Sequence, residues 1–194
     1  FGVKTHLVGN TVFKGRNIFS EWLFLSNDSP VRKILKDYKI AAEEILISLD
    51  FGNVDNDISL KYRKVSFAKI EERKSKLTNN EIKSIGSLIA LAQWFGLGDL
   101  HIDNIIFGAD ENGRLVCCPI DIECLFELHI LPTQSLLIPS ITNDKDNCGL
   151  SEILSHMEIF LDEKSPLYIL EGYIETFEVL EKVNQEIYGS ISRL

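Results

Sequence analysis

The sequence predicts an α+β protein in two lobes: a small β-rich N-terminal lobe over about residues 1–76 and a mainly helical C-terminal lobe over 77–194. Three observations carry this. Mixed elements, short β-prone segments broken by turn residues beside one amphipathic run, make up about the first ninety residues, whereas from Ile82 onward apolar residues recur at helical spacing. The third is size: 194 residues, 45% of them hydrophobic, suit a single core, since a chain of this length buries roughly 70% of its unfolded surface.

In chain order, Val3 to Val8 and Thr11 to Lys14 read as a hairpin around the turn pair Gly9-Asn10. Ile18 to Leu25 is apolar and aromatic without a clear period, and Glu21 within it receives no role. Ser29 or Asp28 can cap the next element, with Pro30 in its first turn. Val31, Ile34, Leu35, Tyr38, Ala41, Ala42, Ile45, Leu46 and Leu49 then predict one amphipathic helix from Val31 to Leu49. Asp50 to Asp57 reads as a loop and Ile58 to Ile70 as one or two strands. Thr78 with Glu81 forms a capping box ahead of a helix that should end at Gly96 to Gly98. Ile105 to Phe107 and Leu115 to Ile120 are strands of a hairpin turning at Asp110 to Gly113. Ser151 to Leu161 and Leu167 to Ile187 close the chain as helices.

With 20 Lys+Arg against 29 Asp+Glu the net charge is -9, which argues against a nucleic-acid partner. The basic stretch Lys61 to Lys76, interrupted by Glu71 and Glu72, reads as a solvated face. Cys117, Cys118, Cys124 and Cys148 fit free thiols in a reducing compartment better than a disulfide framework. Without a Cys-x-x-Cys pair, and with His6, His101, His129 and His156 scattered, no structural zinc site is expected. No apolar run of about eighteen residues and no signal-peptide pattern is visible, so no membrane insertion is expected. The expected location is the cytoplasm, or a host cytosol for a secreted effector.

The chemistry concentrates in Asp99-Leu100-His101-Ile102-Asp103-Asn104 and in Asp121, which closes the following hairpin. Phosphoryl transfer needs a carboxylate at the acceptor hydroxyl and oxygen ligands for a cation on the phosphates. Asp99 would orient or deprotonate that hydroxyl, while Asn104 and Asp121 would supply a neutral and a charged metal ligand. The Asp-x-x-x-x-Asn spacing is that of a protein-kinase catalytic loop, with Leu97-Gly98-Asp99 in place of His-Arg-Asp and Asp121-Ile122-Glu123 in place of Asp-Phe-Gly. Asp99 and Asn104 equally suit turns.

Three segments, Gly86-Ser87-Leu88-Ile89-Ala90-Leu91, Asp99 to Ile106 and Ile120-Asp121-Ile122-Glu123-Cys124-Leu125-Phe126, resemble the dehydratase domain of class II lanthipeptide synthetases. More broadly they resemble the protein kinase-like superfamily, over about a quarter of the chain. The resemblance implies a minimal two-lobed kinase-like fold and phosphorylation of Ser or Thr in a peptide with ATP and Mg²⁺ or Mn²⁺, followed in that family by elimination. It places Asp99 nearest the acceptor, His101 near the phosphates and Asn104 and Asp121 on the metal, with Glu123 in the metal-side motif and Asp103 where the family has Glu. The family's zinc-bearing cyclase domain and Lys-Pro-Arg strand have no counterpart here, so transfer is better supported than elimination.

Lys14 is the expected phosphate-gripping lysine, with Glu43 or Glu44 on the Val31–Leu49 helix as its partner. Lys4 and Lys61 compete for the role, and an exposed strand lysine is the simpler reading of each. No Gly-rich phosphate loop is visible. Two other functions stay open: a pseudokinase-like module that binds in the same cleft, and a small-molecule kinase resembling antibiotic phosphotransferases, whose loop is similar to Gly98-Asp99-Leu100-His101.

Overall fold

The computed structural model describes residues 5–9, 11–14, 18–51, 60–63, 68–69, 76–140 and 145–193. Strands β1 (Thr5–Val8) and β2 (Thr11–Lys14) form the expected hairpin, and β3 (Leu60–Arg63) pairs with the other edge of β2. Helices α1 (Phe19–Leu25) and α2 (Pro30–Asp37) follow the hairpin. Ser29 caps α2: its hydroxyl accepts from Arg32 N at 3.0 Å and donates to Leu23 O. A second sheet joins β4 (Ala68–Lys69) to the hairpin of β5 (Ile105–Ala109) and β6 (Leu115–Pro119). Asp110 shapes that hairpin's turn by accepting from the amides of Asn112 and Arg114. Between β4 and β5 in sequence runs α3 (Asn79–Trp94), opened by the Thr78–Glu81 capping box and closed by Gly96 at φ +57°. Short helices α4 (Ser151–Ser155) and α5 (Met157–Phe160) precede the long α6 (Ser165–Ile191). Among the described residues no helix is long and apolar enough to cross a membrane.

The expected helix from Val31 to Leu49 forms only to Asp37. Lys39 turns into the left-handed region at φ 52°, and the chain continues through a 3-10 turn, Ala41–Glu44. Arg32, 1% exposed, gives the physical reason. Its guanidinium donates to Phe24 O at 3.3 Å and to Leu46 O at 2.9 Å, and pairs with the Glu43 carboxylate at 3.2 Å. An unbroken α-helix would spend the Leu46 carbonyl on its own ladder and leave a buried cation short of acceptors. Burial lowers the Arg32 pKa, and Glu43 opposes that shift. The expected helix Ser151–Leu161 also splits, at His156.

The two-lobed, protein kinase-like α+β fold is corrected by this architecture. The described strands are two to five residues long and lie in two small open sheets rather than one β-rich lobe. One sheet draws β4 from before residue 76 and its other strands from after it. Helices carry most of the packing, and a single apolar cluster runs from Leu23 in α1 through α2, α3 and β6 to Ile187 in α6. Of the basic residues in the Lys61–Lys76 stretch, Lys76 is exposed, Lys61, Arg63 and Lys69 are described in backbone only, and Lys64, Arg73 and Lys74 lie outside the described residues. Val3, Lys4, Asn10 and most of the Ile58–Ile70 segment lie outside them too.

The largest interface between elements is α3 against α6. A Cβ at Gly86 would stand 1.9 Å from Ile169 O, and one at Gly172 would stand 2.0 Å from Lys83 O, so each helix offers a glycine to the other's backbone. Alongside, Thr176 Oγ1 donates to Ser87 Oγ at 2.7 Å, and Ser87 Oγ accepts from Ala42 N at 2.9 Å, tying in the 3-10 turn. Gly86→Ala or Gly172→Ala is expected to cost about 3 kcal/mol in urea unfolding, at the upper end of overpacking losses. The double variant should lose less than the sum, because the separation forced by one methyl relieves the other.

Strand β6 is buried along its length and holds Cys117 and Cys118 as free thiols. Burial raises both, Cys118 to about 12 even with Arg32 nearby. The folded chain therefore keeps protons that the unfolded chain releases above pH 9, the ordinary thiol value. Stability should fall as pH rises from there toward about 12, by up to about 1.4 kcal/mol per pH unit for each thiol. Urea midpoints measured between pH 8 and pH 10 check the sign, about 9 being where the decline should set in.

Candidate functional site

The residues that could do chemistry meet where β2, α1 and the end of β6 converge. Lys14 ends β2, with Thr5 and Leu60 as its cross-strand neighbours, and its side chain is only 6% exposed. Glu21 sits in the first turn of α1, 2% exposed, where unpaired helix N–H groups favour a carboxylate. The Lys14 ammonium contacts Glu21 Oε1 at 2.5 Å and Asp121 Oδ1 at 2.6 Å. Glu21 Oε1 also accepts from the Asp121 backbone N–H at 3.0 Å, so one carboxylate fixes both the lysine and the backbone of the second acid. Asp121 remains 41% exposed and forms the solvent side of this triad.

The loop from Asp99 to Asn104 lies next to it. Ile120 N donates to Asn104 O at 2.8 Å, which seats Asn104 beside the residue preceding Asp121. The buried Asn104 amide donates to Asp99 O at 2.8 Å, and its nitrogen lies 3.2 Å from His101 Nε2. His101 Nδ1 accepts from Asp103 N, and Nε2 stands 3.8 Å from the Asp99 carboxylate. Leu100, 1% exposed, roots the loop in the core and donates its N–H to Ser135 O. Asp99 and Asp121 both occupy the left-handed region, at φ 58° and 59°, which few non-glycine residues adopt and Asp adopts more readily than most. Their side chains reach solvent while Asn104 and Lys14 stay inside.

The expected site residues thus fall into two adjoining groups, Lys14 with Asp121 and Asp99 with His101 and Asn104. Glu43 and Glu44 join neither. Glu43 is spent on Arg32 and, at 3.9 Å, on Lys36, and Glu44 faces solvent. The carboxylate that pairs with Lys14 is Glu21. A lone acid inside the apolar run Ile18 to Leu25 was the available signal, because a buried charge must find a partner and Lys14 lies seven residues upstream. Lys4 and the Lys61 side chain lie outside the described residues.

A resident metal centre is also corrected. Among the described residues no group of three or more His, Cys, Asp or Glu side chains is placed to hold a metal ion. Asp121 and Asn104 supply one carboxylate and one amide, too few for a cage built from protein alone.

No family model matches the chain, nor does any curated protein or solved structure. The resemblance to class II lanthipeptide synthetase dehydratase domains is therefore not upheld: it stays confined to three short segments, and the fold around them differs from the one it implied.

The triad makes a direct prediction about stability. Glu21→Gln should destabilise the protein by about 3 kcal/mol, since it removes the buried one of the two carboxylates that hold the Lys14 ammonium. Lys14→Met combined with Glu21→Leu, which removes both buried charges, should lie closer to the wild type in the same urea titration.

Proposed function

We propose that the chain is a phosphotransferase that moves a phosphoryl group from ATP to a hydroxyl, with Ser or Thr of a protein or peptide as the acceptor. The observation that carries this reading is the Lys14 ammonium held between Glu21 and Asp121 at 2.5 and 2.6 Å. Function belongs to sites rather than folds, so the reading stands on these side chains and not on the corrected architecture.

A lysine bound on one side by a fully buried carboxylate, and on the other by a partly exposed one, is suited to exchange. Phosphate oxygens arriving at the solvent side would replace Asp121 on the ammonium, while Glu21 keeps Lys14 extended and charged. Asp121 and Asn104 would then face the phosphates as two protein contacts for a divalent cation. Magnesium suits such a sparse set, because it is commonly held by one or two carboxylates together with substrate phosphates and water. Its contribution when bound is to neutralise charge on the transferring group. Asp99, about half exposed and set across the loop from Asn104, would orient the acceptor hydroxyl and take its proton. His101 lies beside the Asn104 amide, its Nε2 3.2 Å from the amide nitrogen. The free thiols among the described residues support a reducing compartment, the cytoplasm or a host cytosol.

Incubation of the chain with γ-labelled Mg·ATP and a Ser/Thr peptide library should yield labelled peptide. Asp99→Asn and Asp121→Asn should each reduce labelling at least ~100-fold, the low end of what a positioned acid or base contributes, with unchanged circular dichroism. Calorimetry on the wild type showing no ATP binding with or without Mg²⁺ sinks the proposal. ATP binding with no transfer to any acceptor favours a module that only holds the nucleotide.

A further inference from the structure

A cavity of about 380 Å³ opens between the C-terminal ends of α3 and α6, lined by Trp94, Phe95, Phe126, Asn184, Ile187 and Tyr188 among others. Its volume lies within the range of small-molecule sites. Among the described residues no charged side chain lines it; the polar side chains on it are the Asn184 amide and the hydroxyls of Tyr188 and Ser192.

The floor is fixed before any ligand arrives. The Phe95 ring packs edge-on against Phe24 at 5.0 Å, and the Trp94 ring packs edge-on against Phe177 at 5.4 Å. The mouth is different. Phe126 takes φ 62°, a conformation that bulky residues rarely adopt, and Tyr188 is 71% exposed. The backbone around Phe126 is nonetheless pinned, since Phe126 N donates to Phe95 O at 2.8 Å and Glu127 N donates to Gly96 O at 3.1 Å. The fold therefore accepts backbone strain to hold this ring at the rim, yet leaves it 57% exposed, so the strain is not offset by burial within the chain.

We infer that this cavity is a binding site for a neutral aromatic small molecule, clamped between the Phe126 and Tyr188 rings over the Trp94–Phe95 floor. The lining selects the chemistry. Aromatic walls favour a planar apolar body. The amide and hydroxyls serve a neutral donor or acceptor, and among the described residues no lining cation is present to favour an anion in a chain of net charge -9. The hydrogen bonds that pin Phe126 continue through Gly98 N to Cys124 O at 3.3 Å, so a bound ligand would stiffen the two bonded segments leading to Asp99. None of this depends on the phosphoryl-transfer reading.

Nuclear magnetic resonance titration of the full chain with indole, indole-3-acetate and cyclohexanol at 0.15 M salt tests it. Indole should shift the Trp94 indole N–H with a Kd below ~1 mM and bind at least ~10-fold tighter than the other two. It should also slow hydrogen exchange at the amides of Phe126, Glu127 and Gly98. Phe126→Ala, a change at an exposed ring, should weaken indole binding ~10-fold or more with the fold intact. Equal binding of cyclohexanol or indole-3-acetate, wild-type affinity in Phe126→Ala, or no shift of Trp94 at saturating indole would each overturn the site.

Discussion

The buried guanidinium of Arg32 ties together segments that do not otherwise share a sheet or helix. It takes the Phe24 carbonyl from α1, sits on α2, and reaches Glu43 in the 3-10 turn and Leu46 in the segment just after it. That segment in turn accepts from β6, with Cys117 N donating to Ile45 O at 3.0 Å. Arg32 thereby fixes α1, which carries Glu21, against β6, which leads two residues on to Asp121. A charge this deep costs several kcal/mol to desolvate and is tolerated only because carbonyls and a carboxylate surround it. Those acceptors exist because the chain stops being helical after Asp37. The broken helix, the buried cation and the alignment of two distant acids are one structural fact.

Local chemistry was the legible part of the fold. The Thr78–Glu81 box, the Asp110 turn, the Gly9 hairpin and the start of α2 at Ser29 and Pro30 all formed where the sequence put them, because each depends on groups within a few residues. The break at Lys39 was not legible, since apolar spacing continues unbroken through Leu49 and only the tertiary demands of Arg32 interrupt it. The β-rich lobe failed for a related reason. Short motifs specify a turn and two strands, whereas the layering of sheets and helices follows from how long apolar surfaces cover one another, and here α3 and α6 dominate that covering.

The candidate site was legible in half. Asp99, Asn104 and Asp121 share a spacing with mechanical meaning, and Lys14 stood on a recognisable strand. Glu21 was hidden because a single acid among aromatic and aliphatic neighbours carries no period and no motif. Its role emerges only when β2 folds back over α1 and closes a sequence gap of 100 residues to Asp121 N. Sequence reasoning sought the partner on the following helix, at Glu43 or Glu44, but Glu43 pairs with Arg32 and Glu44 faces solvent.

The left-handed backbone at positions 99 and 121 bears on what these positions can tolerate. Glycine fits that conformation freely and asparagine fits it readily, so either would satisfy the turns without introducing a charge. A side chain branched at Cβ would not. The geometry alone thus admits a short roster of residues, and within it the carboxylate adds negative charge to a region already crowded with acids. A chain under selection for turn shape only could drift to Asn or Gly at both places, whereas Asp at both retains the two charges that a neutral turn residue would discard.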